Sequence, residues 1–125
     1  MSIYAFDHVQ LDMPAGQEAR ARDFYERVLG LAEIAKPPAL AVRGGAWFSN
    51  GVVAVHLGAV AAYRPPVKAH PAFKVEGLAG LIARLEQAGH PVSRDVPIPG
   101  YDRVHTLDPF GNRIELMART DEEMV

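Results

Sequence analysis

The chain has 125 residues, enough for one compact domain, and 49% of them are hydrophobic, which supports a packed core and excludes a disordered protein. A net charge of -2 gives no reason to expect nucleic acid or an anionic membrane as a partner. The absence of cysteine excludes a disulfide framework and any thiolate metal site and fits a cytoplasmic location. No apolar run approaches a membrane span, and the first residues lack the basic-then-apolar pattern of a signal peptide.

Residues 6–13 alternate as a strand does: His8, Gln10 and Asp12 fall on one face, Val9, Leu11 and Met13 on the other. Pro14-Ala15-Gly16 breaks this strand. From Gln17 the spacing is helical, with Ala21, Phe24, Tyr25, Val28 and Leu29 forming an apolar stripe and Gly30 a natural stop. Pro37-Pro38 interrupts the loop that follows. Leu40–Arg43 and Ala46–Phe48 are candidate strands around a Gly44-Gly45 turn. Ser49-Asn50-Gly51 reads as a hairpin turn. Val52–Gly58 is the strongest strand of this half, with Ala54, His56 and Gly58 sharing a face.

Residues 61–69 read as a linker, and the pattern then restarts. His70, Ala72 and Lys74 share one face of a strand; Leu78, Leu81, Ile82, Leu85 and Ala88 form a helical stripe that Gly89 ends. Val92–Val96 and Arg103–Leu107 are candidate strands. Asp108–Asn112 is a turn, and Arg113–Met117 is the last strand, with Arg113, Glu115 and Met117 on one face. The polar tail from Arg119 to Val125 is expected to fray.

Counting shows a repeat. From Gly30 to His56 is 26 positions, as from Gly89 to Glu115; His8 precedes its glycine by 22 and His70 by 19, the difference matching the longer Pro14-Ala15-Gly16 connection. The expected organisation is α+β, two modules of strand, helix and three strands: 1–60, the linker 61–69, 70–118 and the tail 119–125. His8 then corresponds to His70, and His56 to Glu115.

All four residue types bind divalent metals such as zinc, nickel, iron, manganese or cobalt. Three imidazoles and one carboxylate around a divalent ion leave a net charge of +1 and room for substrate. Each residue also has a plain structural reading: His8, His56 and His70 as hydrogen-bonded or exposed histidines, Glu115 as a paired carboxylate. The matched positions in a repeat favour the metal. Gln10, Lys74 and Arg113 lie on the same faces as the candidate ligands, polar where a closed core would be apolar, which points to a wet cavity. Trp47 reads as core or as a wall of that cavity, and Tyr101 lies near it. His90 is expected to be solvated. His105 is expected to be a half-buried strand histidine, with an acid or base role beside the site as its alternative.

Asp23-Phe24-Tyr25-Glu26-Arg27-Val28-Leu29-Gly30-Leu31 resembles the first-helix signature of the vicinal oxygen chelate superfamily, and Asp108-Pro109-Phe110-Gly111-Asn112-Arg113-Ile114-Glu115-Leu116 resembles its last-strand signature. This superfamily holds the glyoxalase I, bleomycin-resistance and extradiol-dioxygenase relatives, and the likeness covers the chain up to about the tail. The resemblance implies two βαβββ modules, each contributing half of an open, barrel-like cavity, commonly in a homodimer. It also implies metal ligation by His8, His56, His70 and Glu115, the positions used in small bacterial glyoxalase I enzymes.

The departures narrow the function. Those enzymes usually carry glutamate or glutamine where this chain has His56, so the catalytic base falls to Glu115 unless His56 detaches and serves. An arginine that helps hold glutathione is replaced by Asp12, and the arginine of fosfomycin-modifying relatives by Met124. The expected function is therefore a glyoxalase-like metalloenzyme acting on a small carbonyl or enol compound, with Gln10, Trp47, Lys74, Tyr101 and Arg113 lining the substrate. An iron-dependent ring-cleaving dioxygenase using His8, His70 and Glu115 is the alternative. A metal-free small-molecule binding protein is the third reading.

Overall fold

A computed structural model describes residues 1–123 of the chain, so Met124 and Val125 lie outside the described residues. The chain divides into a first unit, Met1–Arg64, and a second that begins at Pro65.

In the first unit, β1 (Val9–Pro14) buries Met13 and leaves Gln10 and Asp12 exposed, the alternation expected of a half-buried strand. His8 sits immediately before β1 and not within it. The helical stretch begins as α1 (Glu18–Ala21) and continues with wider turns through Arg22–Val28, where Leu29 N–H bonds to the Phe24 carbonyl five residues back. The widened turn leaves both Phe24 and Tyr25 with no solvent exposure. Tyr25 stacks on Phe48 with ring centroids 5.5 Å apart, anchoring the helix to the sheet.

Next comes β2 (Ala32–Ile34), then a short helix α2 (Pro38–Ala41), then β3 (Ala46–Ser49) and β4 (Ala54–Val60). Here the structure departs from the sequence expectation. The expected strand at 40–43 is instead a helix end and a turn, because Pro38 fills the first helical position and Ala39-Leu40-Ala41 are strong helix formers. The strand is supplied instead by Ala32–Ile34, which pairs antiparallel with β3. Asn50 holds the hairpin turn as expected, its Oδ1 accepting from the N–H groups of Val52 and Val53. Gly45 opens β3 at φ +82°, and a Cβ there would lie 2.0 Å from the Leu57 carbonyl oxygen. Only glycine lets β3 approach β4 so closely. The sheet order is β1-β4-β3-β2, with β1 parallel to β4.

The second unit repeats this plan with one strand fewer. Its elements are β5 (Ala72–Lys74), α3 (Leu78–Gln87), β6 (Tyr101–Leu107), β7 (Arg113–Arg119) and a helical turn α4 (Thr120–Glu123). The sheet order is β5-β7-β6, with β5 parallel and β6 antiparallel to β7. The expected strand at 92–96 is absent apart from one bridge between Ser93 and His105. Pro91, Pro97 and Pro99 withhold backbone donors there, and the Val96 carbonyl is taken by the Arg103 guanidinium. The tail also differs: Arg119 ends β7, and Thr120 N–H bonds to the Gly100 carbonyl.

Gly89 ends α3 as anticipated. Its φ is +86°, its N–H reaches the Glu86 carbonyl, and His90 N–H reaches that of Leu85. His90 is half-buried, where the sequence suggested a solvated side chain. Leu78, Leu81 and Leu85 bury the helix face, while Val104, Ile114, Leu116 and Ala118 are buried on the strands. Leu85→Ala is expected to cost about 3 kcal/mol, read as a lower urea midpoint with unchanged slope.

Candidate functional site

Hairpin pairing builds a row of functional side chains across the second sheet. His105 on β6 lies directly opposite Glu115 on β7, and Ala72 on β5 flanks Glu115 on the other side. His70 lies two residues before Ala72, just ahead of the strand, where the Pro71 carbonyl accepts from Glu115 N–H at 3.0 Å. His70 Nε2 stands 3.0 Å and His105 Nε2 3.4 Å from Glu115 Oε1. One donor atom from each of these three residues falls within 4.8 Å of the other two. Donors bound at about 2.1 Å to one ion lie about 3–3.5 Å apart at tetrahedral or octahedral angles. The two separations from Glu115 already match that spacing, so these residues suit a divalent cation.

The tautomer of His70 sharpens this. Its Nδ1 is 2.7 Å from the Lys68 carbonyl oxygen, which only accepts, so Nδ1 carries a proton. In the neutral ring Nε2 is then a bare lone pair facing a carboxylate oxygen. Two acceptors at 3.0 Å call for a cation between them, whether a proton or a metal.

Glu115 is 6% exposed, and Arg103 lies on its other side, with Nη1 3.4 Å from Oε2. Burial pushes the Glu115 carboxyl up, but the contacts to His70 and His105 and the Arg103 charge outweigh it and hold the pKa below the ordinary value. Arg103 is itself fixed by two bonds from Nε and Nη2 to the Val96 carbonyl, at 3.2 and 2.6 Å.

The first unit holds the corresponding pair. Gln10 lies opposite His56 across β1 and β4, so His8 stands two residues before the partner of His56, just as His70 stands two before the partner of Glu115. His8 and His56 stack with centroids 3.9 Å apart, and Trp47, opposite His56 on β3, stacks on its other face at 3.8 Å. His8 Nδ1 bonds to Asp7 Oδ2 at 2.8 Å. Burial, and secondarily the neighbouring His8, lower the His56 pKa, which favours the neutral imidazole.

The four residues singled out by the repeat are thus present as two pairs, one in each unit. Of the expected substrate-facing residues, Gln10 and Trp47 flank His56 in register. Lys74 and Tyr101 lie further along the second sheet, at Lys74–Met117 and Tyr101–Arg119. Arg113 lies opposite Leu107, two residues before Glu115 on the same face. Arg103 and the close engagement of His105 with Glu115 were missed. The signal for His105 was available: folding the chain about the Asp108–Asn112 turn places residue 105 opposite residue 115.

The sequence profile of the Glyoxalase/Bleomycin resistance protein/Dioxygenase superfamily matches residues 5–116. Among solved structures, a glyoxalase family protein from Bacillus anthracis is 40% identical, with a TM-score of 0.91 over 96% of this chain and 98% of its own. The fosfomycin resistance protein FosX from Listeria monocytogenes is 17% identical, with a TM-score of 0.74 over 99% and 100% of the two chains. TnmS3, an antibiotic binding protein from Streptomyces sp. CB03234, is 23% identical, with a TM-score of 0.68 over 94% and 100%. The last two share the fold alone. No curated protein matches.

Proposed function

The chain belongs to the glyoxalase/bleomycin resistance/dioxygenase superfamily, and from that premise we propose that it is a glyoxalase-like metalloenzyme acting on a small compound with two neighbouring oxygens. The observation that carries the reading is His70: its protonated Nδ1 is tied to a backbone carbonyl while Nε2 faces the Glu115 carboxylate at 3.0 Å. Such a carbonyl-oriented imidazole is the habit of metal-ligating histidine. His70, His105 and Glu115 would hold the ion, an N/O set without thiolate that suits zinc, nickel, iron, manganese or cobalt. The ion would supply Lewis acidity toward the carbonyl or enol oxygens.

The chain's own groups do the rest. Glu115 is ionised and can accept a substrate proton at Oε2, the oxygen that faces Arg103. Arg103, anchored on the Val96 carbonyl, orients that oxygen. In the first unit, His56 is stacked between Trp47 and His8, and burial favours its neutral form. The exposed apolar side chains of Ile3, Tyr4 and Phe6 support the homodimer that accompanies this reading, in a cytoplasmic setting.

A second reading draws on the same trio. Two imidazoles and one carboxylate also make the donor set of iron-dependent oxygenases, and oxygen uptake with catechol-type compounds and ferrous iron separates the two. The test of the proposal is elemental analysis after reloading metal-free protein, wild type beside His70→Ala. About one ion per chain in the wild type, lost in the variant, is expected. No retained metal in either would overturn the reading in favour of metal-free small-molecule binding. His8→Ala and His56→Ala, loaded in parallel, decide whether the first unit's imidazoles help hold the ion.

A further inference from the structure

A cavity of about 410 Å³ lies within the second unit, between the 91–95 segment and the ends of β6 and β7. It shares His105 with the cluster around Glu115 and is walled on the strands by Leu107 and Arg113. Two arginines reach it, and they differ. Arg94 is committed to Asp102 through Nη1. The one carboxylate in the lining, Asp95, is turned onto its own backbone, accepting from Val96 N–H at 2.7 Å. Arg113 is half-buried, and among the described residues no carboxylate pairs with it. A partly buried guanidinium carries five donors and asks for an acceptor.

The one acidic neighbour, Asp95, feels the Arg113 charge but spends an oxygen on Val96 N–H, and the sheet face adds further positive charge. Among the strand residues on the face that bears Glu115, Lys74, Arg103 and Arg113 stand against that one carboxylate, with Asp95 beside them on the 91–95 segment and the Arg119–Asp121 pair at the far end. A divalent ion on the trio would raise the excess. Arg113 is rooted two residues from Glu115 on one strand face, about 7 Å away at strand rise. That separation suits a molecule with an acidic group at one end and reacting oxygens at the other.

We propose that the cavity beside His105 takes the carboxylate of a small organic acid, with Arg113 as the group that binds it. The proposal rests on reading the trio as the reacting centre, and it narrows the substrate from any vicinal-oxygen compound to an oxo-, hydroxy- or aromatic carboxylate. Arg–carboxylate pairing is often bidentate, so Arg113 also fixes which end of the molecule enters the cavity.

The test is a titration of metal-free protein with benzoate and with its neutral isostere benzamide, read on the amide resonances of Arg94, His105 and Arg113. Benzoate is expected to shift them saturably, with benzamide about tenfold weaker or worse, the scale of a hydrogen bond to a charged group. In Arg113→Gln the two probes are expected to fall within about twofold of each other. Arg113→Lys, which keeps the charge but loses the fork, is expected to lie between, and Arg84→Gln on the exposed side of α3 to behave as wild type. Equal binding of the two probes by the wild type, no saturable shift, or a benzoate preference that survives in Arg113→Gln would overturn the proposal. Metal loading of the same proteins keeps the two readings apart. A wild type that prefers benzoate but holds no metal sinks the metalloenzyme and leaves the acid pocket standing. A wild type that holds metal without preferring benzoate does the reverse.

Discussion

Glu115→Gln is expected to weaken divalent-ion binding by about 100-fold or more, measured by competition with a chromophoric chelator. The substitution keeps the size of the side chain and lets the amide oxygen still face His70 and His105. What disappears is the negative charge that two imidazoles and Arg103 converge on, with His70 Nε2 at 3.0 Å and Arg103 Nη1 at 3.4 Å. Ion binding should also stabilise the fold by mass action, by about 2.7 kcal/mol at a free concentration 100 times the Kd. The wild type should therefore gain melting temperature on addition of metal, and Glu115→Gln should gain little at the same concentration. An unchanged gain in the variant would mean that the ion sits elsewhere. His105→Ala separates two roles for that residue. As a ligand, its loss weakens binding on the scale of His70→Ala. As a group that only orients Glu115 across the hairpin, its loss leaves binding near the wild-type level.

What could be read from the sequence follows the range of the forces involved. The helix beginning near Glu18 and α3 were legible because an apolar stripe at helical spacing and a left-handed glycine stop are local features, and Gly30 and Gly89 both hold positive φ. The repeat was legible because equal spacings fix equal registers. Gln10 facing His56 and Ala72 facing Glu115 are the same pairing written twice. The exchange of strand and helix between 32 and 41 was not legible. Ala32-Glu33-Ile34 is too short to show alternation, and its pairing with β3 is decided by tertiary contact. The segment 92–96 failed for another reason. Its valines favour a strand, but the neighbouring prolines and the arginine that takes the Val96 carbonyl leave little backbone to pair. A lone strand histidine carries little signal, and His105 stands out only as the cross-strand partner of Glu115.

Asp108→Ala is expected to cost about 3–5 kcal/mol, read as a fall in the denaturation midpoint. Asp108 is 4% exposed at the start of the turn between β6 and β7. Its Oδ1 accepts from the N–H groups of Phe110 at 2.9 Å and Asn112 at 2.8 Å, and its Oδ2 accepts from Asn112 Nδ2 at 2.8 Å. Asn112 is 2% exposed, so alanine would take the carboxylate acceptor away from three buried N–H donors. Asp108→Asn keeps an oxygen for the two backbone donors but sets an amide against the Asn112 amide, and about 1–2 kcal/mol is expected. The consequence reaches the site because this turn sets the register of the hairpin. Leu107–Arg113, Thr106–Ile114, His105–Glu115 and Val104–Leu116 are successive rungs counted from it. A slip of one residue would turn His105 to the opposite face and replace it with Thr106, which now bonds to the Pro91 carbonyl at 3.0 Å. Asp108→Ala should therefore lose ion binding as well as stability, whereas Leu85→Ala, which opens a hole under α3 and leaves the rungs intact, should lose stability alone at temperatures where both variants are still folded.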